Sequence, residues 1–443
     1  MRIIFFFVLV LTLCFNKIEA QDFNQAKLDS FIVKLEQNKK AMGSISIYKA
    51  GKDVYVKSIG YKDSAQKSKA NHESLYRIGS ISKTYTATLI LMLKEKGKLS
   101  LTDKLSAWFP DVKNADQITI EHLLRHRSGL FNFTNELNFM QWMTQSIKRE
   151  ELLQKIIQYT PNFKPGEKFE YSNTNYFLLA LIAEKQSGKK YHQLLHDFIC
   201  KPLKLKRTFD YPDSKFFSDQ TISFKKYADW VPDTNTHLSI TLGAGSIVAT
   251  AEDVNTFLNA LFTYKLVSKK SVEEMATLVD GYGLGVFRVP FYERFALGHN
   301  GGIDGFRSAS YYFADDQVSI TYLSNAVDYP FNDVMIGILS IFYDKSYTIP
   351  EFEDKVSLHT PAELKQLEGT YSSKQLPFQI IISAQNNVLL FKPSHQTEIK
   401  LAEKEKFIFE YKAANLQVEF DENAQKFIMK QGLGIYEFVK QNP

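Results

Sequence analysis

The segment that begins at Ser80 constrains the fold of this chain more than any other. From Ser80 the sequence is apolar on nearly all sides of a helix that continues through Leu89-Ile90-Leu91-Met92-Leu93 and ends near Gly97. A helix without a polar face is typical of a protein interior. The segment therefore predicts a central, buried helix.

Strands are predicted on both sides of a largely helical region. Residues 44–48 and 54–61 alternate around a four-residue turn and predict a hairpin. The pattern between residues 102 and 264 is mostly helical, and a period of two returns at residues 297–299, 308–313 and 318–324. A sheet closed by such distant segments indicates an α+β or mixed α/β architecture.

The sequence divides into four parts. Residues 1–20 are predicted to be a secretory signal peptide, because a short apolar run, Ile3 to Phe15, follows a basic residue. Residues 21–346 form the main domain, and residues 347–361, which contain two prolines, are expected to be a linker. Residues 362–443 hold short, regularly spaced alternating runs that predict a small all-β barrel or sandwich.

Composition excludes several classes of protein. The net charge of +5 is small for 443 residues, and no block rich in Lys and Arg appears, so nucleic acid is not an expected partner. No segment after the leader is long and apolar enough to predict a transmembrane helix. Cys200 is the only cysteine beyond the leader, so the mature chain is predicted to contain no intramolecular disulfide and a buried, inert thiol.

Ser80 and Lys83 are the first candidates for catalysis. Residues three apart share one face of a helix, so the hydroxyl and the amine point the same way. A lysine whose pKa is lowered by burial and by the positive helix end can activate a serine. The backbone N–H of Ser80 is also available to stabilise an oxyanion. The alternative is a helix cap followed by a surface lysine.

Tyr171 and Asn173 form a second cluster, before another predicted helix. A phenol beside a lysine can relay the serine proton, and an amide can hold both the lysine and a substrate carbonyl. The alternative is a packed tyrosine and an N-cap asparagine.

His299, Asn300, Gly301 and Gly302 form a third cluster at the end of a predicted strand. Small residues let a substrate lie close to the backbone and leave an N–H free as a second oxyanion donor. His299 is expected to offer a donor or a cation to the substrate. The alternative is a glycine-rich turn with an incidental histidine.

Together the three clusters resemble the serine β-lactamase and penicillin-binding-protein superfamily, especially its class C β-lactamase, DD-peptidase and esterase branch. The resemblance covers about residues 31–343 and includes flanking sequences. The matching stretches are Ser80-x-x-Lys83, Tyr171-x-Asn173, His299-x-Gly301, Tyr76 to Gly79, Leu123 to Leu130, Pro165-Gly166, Tyr282 to Gly285 and Gly298 to Gly305.

The resemblance implies a fold and a mechanism. The fold is a mixed sheet with flanking helices and a helical lobe, followed by a lipocalin-like C-terminal barrel. Ser80 is acylated and the intermediate is hydrolysed, with Lys83 and Tyr171 as the base pair and Asn173 as the orienting residue. The N–H groups of Ser80 and Gly302 form the oxyanion hole. No metal or organic cofactor is implied, and the partner is a small-molecule or peptide substrate.

Two features depart from the family pattern. His299 stands where a permanently charged lysine would suit a substrate carboxylate, which disfavours a role in antibiotic resistance. Arg125-His126-Arg127 lies where the family usually shows His-x-Ser.

The predicted function is that of an exported serine hydrolase, periplasmic or secreted, acting on an ester, an amide or a D-amino-acid or cell-wall peptide. An α/β-hydrolase is disfavoured because Gly-x-Ser-x-Gly is absent, and a metallohydrolase because His-Glu-x-x-His is absent. The alternative is a catalytically silent protein of the same fold that binds cell-wall peptide, or a β domain that binds a lipid or glycan.

Overall fold

The computed structural model describes residues 23–63, 68–210, 220–227, 229–352, 358–385, 388–394, 398–411, 414–432 and 434–441. The predicted signal peptide, residues 1–20, lies outside these residues, as does part of the predicted linker. The predicted α+β class is confirmed: a central sheet with flanking helices and a helical lobe is followed by a small C-terminal barrel.

A six-stranded sheet forms the centre of the larger part. The strands before residue 328 are β1 Ala41–Lys49, β2 Lys52–Ile59, β3 Tyr61–Asp63, β4 Ser68–Lys69, β5 Tyr76–Arg77, β6 Thr208–Phe209, β7 Phe224–Lys226, β8 Trp230–Pro232, β9 Val248–Ala249, β10 Phe287–Phe291, β11 Arg294–Ile303, β12 Phe306–Phe313 and β13 Val318–Val327. The sheet order is β10-β11-β12-β13-β1-β2, and all these pairings are antiparallel. The predicted hairpin therefore pairs, through β1, with β13, which lies almost 300 residues further along the chain.

Helices cover both faces of this sheet and form the helical lobe, and the last short helix packs against the C-terminal barrel. They are α1 Gln25–Gln37, α2 Ser82–Glu95, α3 Ile120–Leu124, α4 Phe139–Trp142, α5 Arg149–Gln158, α6 Asn173–Ser187, α7 Tyr191–Leu195, α8 Lys201–Leu203, α9 Ala251–Phe262, α10 Lys269–Ala276, α11 Phe331–Phe342 and α12 Pro361–Gln366. α1 and α11 share a hydrophobic cluster with one face, and α2 and α9 lie on the other. Gly337 lets α11 approach α1, since a Cβ there would meet the Phe31 ring at 2.6 Å.

The helix predicted from the apolar run lies at the centre of the protein. Every residue of α2 from Ser82 to Leu93 is buried. It packs against α6 and α9, which belong to the same hydrophobic cluster. Cys200 is also buried, and burial raises the pKa of its thiol to about 12.

The C-terminal part is a closed eight-stranded barrel, β14-β15-β16-β17-β18-β19-β20-β21. The strands are β14 Gly369–Ser372, β15 Gln379–Gln385, β16 Val388–Pro393, β17 Ile399–Glu405, β18 Ile408–Tyr411, β19 Leu416–Phe420, β20 Lys426–Gln431 and β21 Gly434–Lys440. Aromatic rings fill its interior: Phe427 stacks on Phe438 at 5.0 Å between centroids, and Tyr371 and Phe420 pack against them.

Within the described ranges, no helix combines the length and the apolar character needed to cross a lipid bilayer.

Candidate active site

Ser80 lies in a single 3-10 turn, Gly79–Ile81, that leads directly into α2. The geometry of this turn requires a glycine immediately before Ser80. Gly79 has a φ of 50°, and a Cβ there would lie 2.9 Å from the Gly302 nitrogen. This turn therefore brings Ser80 against the edge of β11. Ser80 is partly exposed and lines a cleft of about 350 Å³.

Lys83 is fully buried beneath Ser80. Its Nζ lies 3.0 Å from Ser80 Oγ, 2.8 Å from Asn173 Oδ1 and 2.8 Å from the Ala244 carbonyl oxygen. Burial lowers the pKa of the Lys83 amine well below its usual value, because the amine loses its hydration and none of its described hydrogen-bond partners is a carboxylate. A neutral amine donates to the two carbonyl oxygens and directs its lone pair at Ser80.

Tyr171 donates its hydroxyl hydrogen to Ser80 Oγ at 2.7 Å. Burial raises the pKa of the phenol, and its hydrogen bond with Ser80 only partly opposes this. Tyr171 is therefore protonated in the resting site. The Lys83 amine lies 4.7 Å from the centre of its ring, so a phenolate formed during reaction would have a neighbouring cation.

Asn173 is held by residues that the sequence analysis did not identify. Its backbone N–H donates to Asn132 Oδ1 at 3.0 Å, and its side-chain amide donates to Thr134 Oγ1 at 3.1 Å. These contacts orient its Oδ1 towards Lys83. No sequence pattern relates Asn132 and Thr134 to Asn173, which lies about 40 residues further along the chain.

His299 is expected to offer a cation or a donor to the substrate, and the structure places its side chain inside the protein. The side chain is 4% exposed, with Nε2 2.9 Å from the Tyr282 hydroxyl and Nδ1 bonded to the Asn300 carbonyl oxygen. Burial lowers the pKa of His299 to about 3. His299 is therefore neutral at pH 7, with both ring nitrogens engaged inside the protein and its ring 6.4 Å from that of Tyr171.

The rest of the third cluster lies at the cleft edge. A Cβ at Gly301 would overlap the Ile78 carbonyl oxygen and the Ser308 hydroxyl, so only glycine fits there. Gly302 lines the cleft and has room for a Cβ. Asn300 is exposed, and its Oδ1 accepts a hydrogen bond from the Tyr311 hydroxyl. β10 pairs with β11 only as far as Gly298, so the cluster follows the end of that pairing.

His126 is a further residue of the site that the sequence analysis missed. It is fully buried, its ring lies 4.2 Å from that of Tyr171, and its Nδ1 accepts a hydrogen bond from the Ser172 N–H at 3.1 Å. Burial lowers the pKa of His126 well below its usual value. The His126 ring is therefore neutral where it packs against Tyr171. The sequence does contain the pattern that identifies His126. His126-Arg127-Ser128 matches His-x-Ser, and it begins one residue after the start of the triplet Arg125-His126-Arg127.

Apolar and charged residues line the remainder of the cleft. Phe139, Met140 and Met143 form an apolar wall. Lys225, Asp233 and Asp304 are the charged residues among the lining side chains of the described structure.

Comparison with known proteins agrees with this architecture. The family described as β-lactamase matches residues 28–337. Penicillin-binding protein 4* of Bacillus subtilis (strain 168) is 26% identical over 424 residues, covering 87% of this chain and 92% of that protein. The teichoic acid D-alanine hydrolase of Staphylococcus aureus is 29% identical over 320 residues, covering 69% and 75%.

A solved structure extends the comparison to the fold. The D-amino acid amidase from Ochrobactrum anthropi SV3, in complex with D-phenylalanine, superposes with a TM-score of 0.65 at 24% identity. The match covers 72% of this chain and 99% of that one, and it concerns the fold alone.

Proposed function

Because this chain belongs to the serine β-lactamase and penicillin-binding-protein superfamily, we propose that it is an exported serine hydrolase that forms an acyl-enzyme on Ser80. The bond cleaved is an ester, an amide or a peptide bond. The observation that carries the proposal is the position of Ser80 Oγ, 3.0 Å from the Lys83 amine and 2.7 Å from the Tyr171 hydroxyl.

Lys83 is the proposed base for acylation. Two of its hydrogens are directed at Asn173 Oδ1 and the Ala244 carbonyl, so the lone pair of the neutral amine accepts the Ser80 proton. The freed oxygen attacks the substrate carbonyl carbon. As the tetrahedral intermediate collapses, Tyr171 gives its proton to the leaving group, and the resulting phenolate is stabilised by the Lys83 ammonium.

Deacylation returns both groups to their starting states. The Tyr171 phenolate takes a proton from water, whose oxygen attacks the acyl carbon. The Lys83 ammonium then gives its proton back to Ser80 Oγ as that oxygen leaves. The cycle releases the acid product and regenerates neutral Lys83 and protonated Tyr171, without a metal or an organic cofactor.

The N–H groups of Ser80 and Gly302 are the proposed oxyanion hole. Gly79 brings the two segments together, since a Cβ there would lie 2.9 Å from the Gly302 nitrogen. Preorganised backbone donors of this kind are often a large contribution to acyl transfer. Asn173 is proposed to orient Lys83 and the substrate, and Asn300 and Gly301 to shape the edge of the cleft.

The proposed substrates are D-amino-acid esters, amides and cell-wall peptides, because the relatives include a penicillin-binding protein and a teichoic acid D-alanine hydrolase. Residues 1–20 are the proposed export signal, which places the mature chain in the periplasm or outside the cell. Intact mass of the protein recovered from the envelope or medium tests this, with a chain starting at Gln21 as the expected result.

Intact mass after exposure to a serine-directed fluorophosphonate tests the catalytic proposal. One adduct on the parent chain and none on Ser80→Ala is the expected result. Ser82→Ala, two residues away and buried, is a control that should still be labelled. Absence of an adduct on the parent would favour the other candidate, a catalytically silent cell-wall peptide or ligand-binding protein of the same fold.

A further inference from the structure

The charges around the cleft are unequally available to a substrate. Asp304 is saturated: its Oδ1 accepts hydrogen bonds from the Thr236 N–H at 2.9 Å and the Thr236 hydroxyl at 2.7 Å, and its Oδ2 pairs with Arg77 Nη1 at 3.2 Å. Its side chain is fully buried. Asp304 and Arg77 therefore form an internal pair that fixes the cleft wall.

Asp233 is held differently. Its Oδ1 accepts from the Thr234 N–H at 2.8 Å and pairs with Lys225 Nζ at 2.7 Å, whereas no described residue donates to its Oδ2. The Asp233 side chain is only 4% exposed, and its backbone N–H is fixed by the Ser223 carbonyl oxygen. Asp233 lines the cleft, so its Oδ2 is still able to accept a hydrogen bond from a ligand or from water.

Lys225 is a weak competitor for this carboxylate. Its side chain is 58% exposed, so its pair with Asp233 is screened by water, and the lysine can turn into solvent at little cost. The Asp233 carboxylate cannot move in the same way, because the Thr234 N–H and its burial hold it at the cleft.

Among the described residues that line the cleft, the one cationic side chain is Lys225, which is paired with Asp233. His299 is neutral and buried, and Lys83 is fully buried beneath Ser80. Arg307 lies beside Gly302, outside the lining residues, and its Nη1 donates to the carbonyl oxygens of Asp304 at 2.9 Å and Phe306 at 2.7 Å.

We propose that Asp233 binds an ammonium group of the substrate, so that the preferred substrates are esters or amides that carry a free amino group rather than a free carboxylate. This proposal rests on the proposed function, because it assigns the substrate class of the same cleft. The ammonium takes the place of Lys225 Nζ and donates to both oxygens of Asp233, including the one that lacks a donor.

Protection of Ser80 from the fluorophosphonate measures this binding without requiring turnover. The probes are D-alanine p-nitroanilide and 6-aminohexanoic acid p-nitroanilide, which place the amine near to and far from the carbonyl, each with its N-acetyl counterpart. The quantity compared is the concentration of each compound that halves the labelling rate. For at least one of the two free amines, we expect this concentration to be about tenfold lower than for its N-acetyl counterpart.

Variants distinguish ammonium binding from a structural ion pair. Asp233→Asn keeps the Oδ1 that accepts from Thr234, and should reduce the tenfold preference to about unity. Lys225→Gln removes the competing cation and should increase the preference. Asp229→Asn, on the same β7–β8 hairpin but 68% exposed and outside the cleft, should leave it unchanged.

The results that would overturn the inference differ from those that would overturn the proposed function. Equal protection by free and acetylated amines, or better protection by N-succinyl forms that carry a carboxylate, would refute a role for Asp233 and favour Arg307 as the charged contact. An unchanged preference in Asp233→Asn, with the parent's melting temperature, would also refute it. Failure of the parent chain to be labelled at all would refute the proposed function instead.

Discussion

The Nε2 atom of His299 lies 2.9 Å from the Tyr282 hydroxyl, and its Nδ1 is bonded to the backbone carbonyl of Asn300. Because the carbonyl can only accept, Nδ1 carries the proton and Nε2 accepts from Tyr282. The imidazole is thus a neutral bridge between the strand edge and the aromatic residues behind Tyr171. This position explains why a residue type that suggested a substrate contact is buried instead.

The neutral state of His299 predicts a pH-dependent loss of stability. An unfolded histidine, with its ordinary pKa of 6.5, binds a proton between pH 7.5 and 5.0, whereas the folded one, with a pKa of about 3, does not. The unfolded state is therefore favoured as the pH falls through 6.5, by about 2 kcal/mol at pH 5.0. Urea unfolding at pH 7.5 and at pH 5.0 measures this effect. Between these pH values, the free energy of unfolding should fall by about 2 kcal/mol less in His299→Gln than in the parent.

His72→Gln replaces an exposed histidine and is the control for this measurement, with the same loss of stability as the parent as the expected result. An equal loss of stability in the parent and in His299→Gln would mean that His299 is protonated in the folded protein.

The lowered pKa of Lys83 predicts the pH dependence of Ser80 reactivity. Labelling requires the neutral amine, so the rate should rise with pH and level off through a pKa below the ordinary 10.5. Lys83→Gln should reduce the labelling rate at least about 100-fold, whereas Lys98→Gln, beyond the exposed end of α2, should not. A rate in Lys83→Gln close to that of the parent would assign the base to Tyr171 alone.

Two adjacent glycines give a matched test of the strand edge. Gly301→Ala places a methyl group against the Ile78 carbonyl and the Ser308 hydroxyl, and should push β11 away from the turn that carries Ser80. Overpacking of this kind costs about 1–3 kcal/mol, and the labelling rate should fall at least about tenfold as the oxyanion donors separate.

Gly302→Ala is the control, since the nearest atom to its added Cβ is 3.7 Å away and the N–H is retained. It should be labelled nearly as fast as the parent. If the two variants behaved alike, the close contact of Gly301 with Ile78 would have no bearing on the reactivity of Ser80.

The elements of the fold that could be predicted are those whose own sequence has a clear hydrophobic pattern. The continuous apolar run of α2, and the periodicity of α9 and of the strands β11 to β13, indicate both the type of these elements and their place in the core. β10 was not predicted, because it contains Pro290, which argues against an interior strand. As an edge strand paired only with β11, it can hold a proline.

The candidate site was predictable only where residue type and spacing are distinctive. Ser80, Lys83, Tyr171 and Asn173 lie together in the structure. His299 was expected to meet the substrate as a donor or a cation, whereas the structure buries it, because a sequence pattern does not show what covers a side chain. Asp233 follows a short strand of three residues, and nothing in its sequence neighbourhood distinguishes it from the other aspartates of the chain.

The filled interior of the barrel predicts that it can be destabilised without loss of the catalytic site. Phe427 is fully buried, and its removal should cost the barrel about 3–5 kcal/mol. The barrel core is a separate hydrophobic cluster from those beside Ser80. In Phe427→Ala, a protease should therefore cleave the barrel at a lower temperature than in the parent. The rate at which Ser80 is labelled should equal that of the parent.

Ile435→Ala, on β21 with a side chain 62% exposed, is the matched control and should match the parent in both assays. The barrel does touch the larger part: Lys400 on β17 lies 3.8 Å from Asp328 and 3.4 Å from the Tyr227 carbonyl, beside the β7–β8 hairpin. Both contacts involve a partly exposed lysine and contribute little. If labelling of Ser80 declined together with the barrel in Phe427→Ala, the barrel would instead be needed to hold that hairpin at the cleft.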